Sequence, residues 1–323
     1  MQKAQLESSG ELQTSCPLCG KIARTRVGSH EAGRQRYELY HCLACDVQFW
    51  DPRVGGDSEY YANEGMSLYK AIHAGGNPAE KDARFRFFWN RYSGATPGRI
   101  LDMGCGSGHF LEQAIRRGYE GWGIDFDPIS IDRARERGLQ NVFCQSIETF
   151  VETNTGLEFD HITAFDVIEH LADPLPVLTR LRSLLKPNGL ITVTVPNRHR
   201  ILVNQMKSDF PPHHFFRFNE ASLAQCLRLA GFVDAEAKVF EYGYALPVAL
   251  DVVVKSLRSL RASSPAASSG SASKNTTTSE SSSKRIFRKV VDLSAKPSSV
   301  IETALGRGFK VFATGRRSDA DAT

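Results

Sequence analysis

The sequence has no long hydrophobic run. Its most apolar stretch, residues 242–254, contains Asp251 and falls short of the roughly 20 apolar residues that a bilayer crossing needs. Residues 1–12 are polar and lack an apolar segment behind a basic start, so a secretory signal is not expected and a cytoplasmic location is. Excess charge of one sign is also scarce. Forty Lys and Arg against 36 Asp and Glu leave +4 over 323 residues, which by itself marks no nucleic-acid binder. A basic stripe with interleaved aromatics, the pattern that grips single strands, is missing too, as is any internal repeat. What is present is 41% hydrophobic and 10% aromatic residues, enough for one main domain with a sizeable core plus attachments. In a reducing compartment the seven cysteines are read for metal or packing before disulfides.

Four of them form two knuckles, Cys16 and Cys19 in "CPLCG" and Cys42 and Cys45 in "CLAC", with 22 residues between. Two such pairs can bring four thiolates to one tetrahedral centre. Soft sulfur donors filling all four positions imply a structural Zn2+ with no open site for catalysis. We expect a zinc-ribbon-like module over residues 1–50. Asp46 follows the second knuckle where glycine would ease the turn. His30 and His41 are read as surface or supporting histidines, because the four sulfurs complete the shell. Cys105, Cys144 and Cys226 are read as buried thiols of no chemistry.

Residues 47–78 read as irregular, punctuated by Gly and Pro, with a linker or cap over 51–78 that includes a short helix near 67–72. From 79 to 92 the pattern turns helical, and Phe85, Phe88, Trp89 and Tyr92 recur as a packing stripe. Strands are expected near 99–103, 121–125, 141–144, 159–165 and 189–195. Helices are expected near 107–117, 128–137, 146–153, 174–185 and 219–230. This alternation predicts an α/β, doubly wound, Rossmann-like and mostly parallel sheet over 79–261, with its ligand crevice at the carboxyl ends of the strands. A helix near 245–260 has one apolar side, suited to core packing, a lid, a dimer contact or a membrane surface. Residues 262–283 are Ser-rich with almost no apolar side chains and are expected to be disordered. The segment 284–323 should return a late strand near 309–314. Its nine Lys and Arg against four Asp and Glu suit a solvated face, or weak contact with an anionic membrane surface or a phosphorylated substrate.

The stretch "ILDMGCGSGHF" (residues 100–110) places a glycine-rich turn between a strand and a helix. A dinucleotide fingerprint would put its third glycine at 109, where His109 stands. Asp102 lies just before the turn. A carboxylate there repels a pyrophosphate and suits a ligand bearing positive charge, which points away from NAD.

Five motifs in order, "LDMGCGSGHFL" (101–111), "GIDFDP" (123–128), "FDHITAFDVIEHLADP" (159–174), "LKPNGLITVTVPN" (185–197) and "HHFFRFNEASLAQCLRLAGF" (213–232), resemble the class I S-adenosylmethionine-dependent methyltransferases. Among these they resemble the small-molecule group similar to the ubiquinone-biosynthesis methyltransferases. The resemblance implies a seven-stranded sheet and S-adenosyl-L-methionine as cofactor. It implies that Gly104, Gly106 and Gly108 admit the methionyl part, that Asp102 pairs with its ammonium group or holds the loop, and that Asp125 accepts the ribose hydroxyls. Phe126 would offer a face to adenine, Ser146 would stand where the family commonly places an acid near the adenine amine, and Phe165 and Asp166 would line the methyl-donor end. On the residues alone, Asp102 also suits a turn or cap, and Asp125 with Asp127 suits the start of the helix that Pro128 begins.

Methyl transfer to a hydroxyl or an enolisable carbon calls for a general base. The candidates are His170, in "EHLADP", and His213 and His214, in "PPHHFF", since imidazole titrates near working pH. A four-cysteine module on this core also resembles sugar- and polysaccharide-modifying C- or O-methyltransferases. The reading is therefore methyl transfer to O or C of a small molecule, with a sugar, nucleotide-sugar or glycan intermediate as partner and no nucleic acid. Two alternatives stay open: a nucleic-acid or protein methyltransferase targeted by the zinc module, and a non-catalytic protein that only binds the cofactor.

Overall fold

The computed structural model describes residues 14–23, 25–55, 82–200, 209–240 and 307–322. The helices expected near 67–72 and 245–260 and the Ser-rich stretch 262–283 lie outside the described residues.

The chain begins with a short antiparallel pair, β1 (Thr14–Ser15) and β2 (Ile22–Ala23). A meander follows, formed by β3 (Thr25–Ala32), β4 (Gln35–Cys42) and β5 (Val47–Asp51). Residues 47–51 are thus a strand, not irregular chain. Phe49 and Trp50 are both buried, on opposite faces, so the alternation that reveals a half-buried strand is absent there.

The main sheet takes its strands from β6 (Arg99–Met103), β7 (Glu120–Asp125), β8 (Val142–Cys144), β9 (Phe159–Phe165), β10 (Leu185–Pro196), β12 (Val233–Phe240) and β13 (Lys310–Arg316). Their order is β12-β13-β10-β9-β6-β7-β8, parallel except for β13, which runs antiparallel to both neighbours. The helices are α1 (Ala83–Arg91), α2 (His109–Arg116), α3 (Pro128–Glu136), α4 (Ile147–Thr153), α5 (Pro174–Ser183) and α6 (Glu220–Leu229). The expected α/β architecture and its seven-stranded sheet are present. β10 starts four residues earlier than anticipated, because a register shift between Leu185 and Leu190 absorbs the "KPNG" turn signal, with Asn188 in left-handed backbone at φ 61°. β12 was not anticipated; its Asp, Glu, Lys and two Ala are weak strand formers.

Aromatic residues fill the space between α1 and the sheet, as the 79–92 stripe implies. Phe88 meets Phe110 edge-on at 5.1 Å, Trp89 stacks on Phe110 at 5.1 Å, and Tyr92 meets His161 at 4.7 Å. A second core runs without interruption from the N-terminal sheet into the main one. The short strand β11 (Phe216–Arg217), which follows β10 in sequence, pairs antiparallel with β5, and the Trp50 amide donates to the Phe215 carbonyl at 2.9 Å. Trp50, Phe49, Phe216 and Phe218, each at most 2% exposed, belong to that shared core.

A shared core predicts shared unfolding. Trp50→Ala should cost about 3–5 kcal/mol, and denaturant unfolding followed separately by N-terminal and sheet probes should remain one transition. Two separated midpoints would show that the N-terminal sheet stands alone.

Candidate active site

After β6 the chain turns through Gly104, Gly106 and Gly108, all at positive φ (75°, 51° and 78°). A Cβ on Gly104 would stand 2.5 Å from Val167, and one on Gly108 would run into Leu139 and Ala134. At Gly106 nothing lies within 4 Å of that position. Turn geometry and packing thus account for the outer two glycines, whereas Gly106 faces an open cradle that a methyl group would begin to fill.

Asp125 ends β7 and holds this loop. Its Oδ2 accepts from the Gly106 amide at 2.8 Å and its Oδ1 from the Asp127 amide at 2.9 Å. A carboxylate accepts about four hydrogen bonds, so capacity remains for a pair of ribose hydroxyls. The helix-start alternative belongs to Asp127, which caps α3 through the Ile129 and Ser130 amides. Beside them the Phe126 ring is 77% exposed.

Asp102 is buried under the loop and accepts from the Thr163 hydroxyl at 2.7 Å. Burial, with the charge of Asp125 adding to it, pushes its pKa up to about 7 against the opposing pull of Thr163 and Arg84. Ser146 caps α4, its hydroxyl accepting from the Thr149 amide at 3.3 Å. The Phe165 ring packs among Phe85, Phe88 and Phe110. Asp166, in left-handed backbone at φ 58°, accepts from Lys310 at 2.6 Å, Arg84 at 3.0 Å and Thr194 at 3.1 Å. Burial works to raise its pKa, and the two cations outweigh it and hold the carboxylate charged. Cys105 and Cys226 are buried as expected, but Cys144, at the end of the three-residue edge strand β8, is exposed.

Beyond β9 a single turn of 3-10 helix, Ile168–His170, brings Glu169 and His170 against the loop carrying His213 and His214. His170 Nδ1 donates to the His213 carbonyl at 2.8 Å, which leaves Nε2 of the neutral ring as the acceptor. The His170 and His214 rings lie 4.5 Å apart, nearly perpendicular. Burial lowers the pKa of all three histidines, His214 furthest, with neighbouring positive charge adding there. His214 Nδ1 lies 3.7 Å from Asp209, itself paired with Arg200.

Glu169, 1% exposed, has neither carboxyl oxygen hydrogen-bonded within the described structure. Burial and the charge on Asp166 push its pKa up to about 8. Glu169, His170 and His214 offer three ligand atoms within 4.8 Å of one another, a spacing that can hold a cation. Sequence reasoning assigned Glu169 no role; the signal was its place beside His170 immediately after a buried strand. Arg84 and Lys310, contributed by α1 and β13, left no local signal at all.

The four knuckle cysteines meet as the spacing predicts. Their sulfurs lie within 4.8 Å of one another, with Cys16 and Cys45 3.6 Å apart and Cys19 and Cys42 3.5 Å apart. Metal–sulfur bonds of about 2.3 Å in a tetrahedron require sulfur separations near 3.8 Å, so the cluster fits a zinc ion with little movement. His41 supports the second knuckle by pairing with Asp46 at 2.8 Å, and His30 packs on Trp50 and Phe210. Asp46 sits in left-handed backbone at φ 52°, which costs a non-glycine residue about 1–3 kcal/mol.

Residues 79–237 match the model of a family described as a methyltransferase domain. The curated relatives include the ubiquinone biosynthesis O-methyltransferase of Histophilus somni, 34% identical over 172 residues that make up 51% of this chain and 64% of the relative. The enzyme of the same name from Xanthomonas campestris pv. campestris (strain B100) is 36% identical over 110 residues, 32% of this chain and 46% of the relative. The chain therefore spans less than two thirds of the length of these relatives. Among solved structures, Haemonchus contortus phosphoethanolamine N-methyltransferase 2, in complex with phosphomonomethylethanolamine and S-adenosylhomocysteine, superimposes with a TM-score of 0.51 at 17% identity, covering 91% of this chain and 72% of the other. Over residues 79–237 the chain thus matches a methyltransferase-domain model and shares the seven-stranded sheet of that fold.

Proposed function

We propose that this chain transfers a methyl group from S-adenosylmethionine to an oxygen of a small molecule, with His170 taking the acceptor's proton. One observation carries the reading: an open glycine cradle held by Asp125 and a histidine wall beyond β9 meet at the same end of the sheet. S-Adenosylmethionine, when bound, supplies a methyl group on a positively charged sulfur, and in-line displacement then demands chiefly position. Gly106 would give it room, Asp125 would take its ribose hydroxyls, Phe126 would face its adenine, and Asp102 and Asp166 would lie on the side of its cationic end. Ser146, committed to capping α4, contributes at most an edge of the adenine pocket. His170, fixed through Nδ1, turns its Nε2 lone pair to the acceptor hydroxyl; the proton moves to that nitrogen as the oxygen gains the methyl group. His213 and His214 hold His170 and the acceptor in place. Zn2+ on Cys16, Cys19, Cys42 and Cys45 is structural.

For the acceptor we infer a sugar, nucleotide-linked sugar or glycan intermediate. Support comes from the four-cysteine module joined to the crevice by β5 and β11, and from the polar wall of His213, His214 and Asp209. Oxygen rather than carbon is favoured by the relatives' names. A second reading also has an observation behind it. The unpartnered Glu169 carboxyl with His170 and His214 suits a divalent cation that would lower the pKa of the acceptor hydroxyl.

Asp125→Ala removes charge-assisted hydrogen bonds worth about 1.5–3 kcal/mol. Calorimetry should show S-adenosylhomocysteine binding weakened about tenfold to a hundredfold, with no binding of NAD to either protein; unchanged affinity would reject the cradle assignment.

Because burial lowers the His170 pKa from the ordinary 6.5, its base form persists below pH 6.5. In a screen of nucleotide-sugar and phenolic acceptors, kcat/KM should therefore rise with pH along a limb whose midpoint lies below 6.5, and His170→Gln should lose about 10²–10⁴-fold in kcat. A limb centred above 6.5 contradicts this role.

Metal analysis separates the two readings. One ion per chain, unchanged in Glu169→Gln, supports the free base; two ions falling to one in that variant support the cation.

A further inference from the structure

The residue after the second knuckle joins two parts of the protein that sequence keeps far apart. Asp46 Oδ1 accepts from Arg198 at 2.7 Å, its backbone carbonyl accepts from the same guanidinium at 2.6 Å, and its Oδ2 accepts from the Asn219 side chain at 2.6 Å. Glycine would take its backbone conformation at lower cost, so these side-chain bonds hold aspartate there against strain. Both partners frame the same segment. Arg198, 8% exposed, donates its own amide to the Phe218 carbonyl at 2.6 Å. Asn219 caps α6 through the Ser222 amide at 2.9 Å.

The framed segment carries the acceptor wall. Residues 216–217 pair with β5, and the Phe215 amide donates to the Glu169 carbonyl at 2.8 Å. The His213 carbonyl fixes His170 Nδ1. The cofactor loop is held differently, by Asp125 and by packing on Val167 and Leu139.

We propose that Asp46 is a positioning residue that couples the cysteine cluster to the acceptor side of the crevice. Metal in the cluster closes the second knuckle, the closed knuckle fixes Asp46, and Asp46 orders residues 213–219 and with them His170 and His214. Loss of the metal releases this wall and leaves the cofactor half intact. The proposal rests on the methyl-transfer reading only for what the crevice does; the linkage is read without turnover.

The experiment uses the full chain, wild type and Asp46→Asn, a variant of the same shape whose residue tolerates left-handed backbone. Zinc content, S-adenosylhomocysteine affinity and peptide-resolved hydrogen exchange are measured before and after chelation. In Asp46→Asn we expect one zinc retained, cofactor affinity within twofold of wild type, and exchange over residues 213–219 at least tenfold faster. Chelation should accelerate the same segment in wild type by a similar factor and add nothing in the variant. The double variant Asp46→Asn/Arg198→Gln should exchange no faster than Asp46→Asn alone.

Equal acceleration by chelation in wild type and variant would overturn the proposal, because the signal would then bypass Asp46. Loss of zinc or of cofactor affinity in Asp46→Asn would overturn it as well, showing general destabilisation. Should Asp46→Asn not fold, wild-type chelation still decides: accelerated exchange confined to 213–219 with cofactor affinity kept supports the coupling, and uniform acceleration or none rejects it.

Discussion

The antiparallel contact of β5 with β11 decides what kind of molecule this is. It is a pairing of only two residues on each side, too short to persist alone. Its strength comes from Phe49, Trp50, Phe216 and Phe218, whose rings it brings into one core. At about 25 cal/mol for each Å² of apolar surface removed from water, four large aromatic side chains outweigh a few strand hydrogen bonds. An N-terminal sheet that on its own would expose Trp50 thus becomes a wall of the main domain, and the loop bearing His213 and His214 is clamped between them.

The crevice that results has two sides built on different principles. The cofactor side is made largely by backbone: three left-handed glycines, one carboxylate accepting from two amides, and an exposed aromatic ring. The opposite side is made of titratable side chains, with Glu169 and His214 buried and His170 exposed, where the histidine pKa values fall and that of the Glu169 carboxyl rises to about 8. Two carboxylates on this side are compensated by cations, Asp166 by Lys310 and Arg84 and Asp209 by Arg200.

Much of this was legible in the sequence because it is local. The strands β6 to β9, the glycine turn, the Pro128 helix start and the two cysteine knuckles each announce themselves within a dozen residues. What escaped is non-local or two-sided. β5 is buried on both faces and shows no alternation. β12 is an edge strand of weak formers, stabilised by a partner from the far end of the described chain. Arg84, Lys310 and Arg198 look like ordinary surface cations until the fold brings carboxylates to them. Asp46 was noticed as a departure from glycine, and the structure supplies its reason: two partners, Arg198 and Asn219, that lie far along the chain.

The position of β13 sets the order in which the molecule can be made. β13 lies between β10 and β12 and pairs with both, yet more than a hundred residues separate Pro196 from Lys310. At roughly 5–20 residues per second on a ribosome, the inner edge of β10 waits on the order of ten seconds for its partner, and β12 has no sheet to join until then. During that interval β10 lacks its β13 partner, so synthesis of residues 310–316, rather than of the glycine turn or the cysteine knuckles, sets when the sheet can be completed.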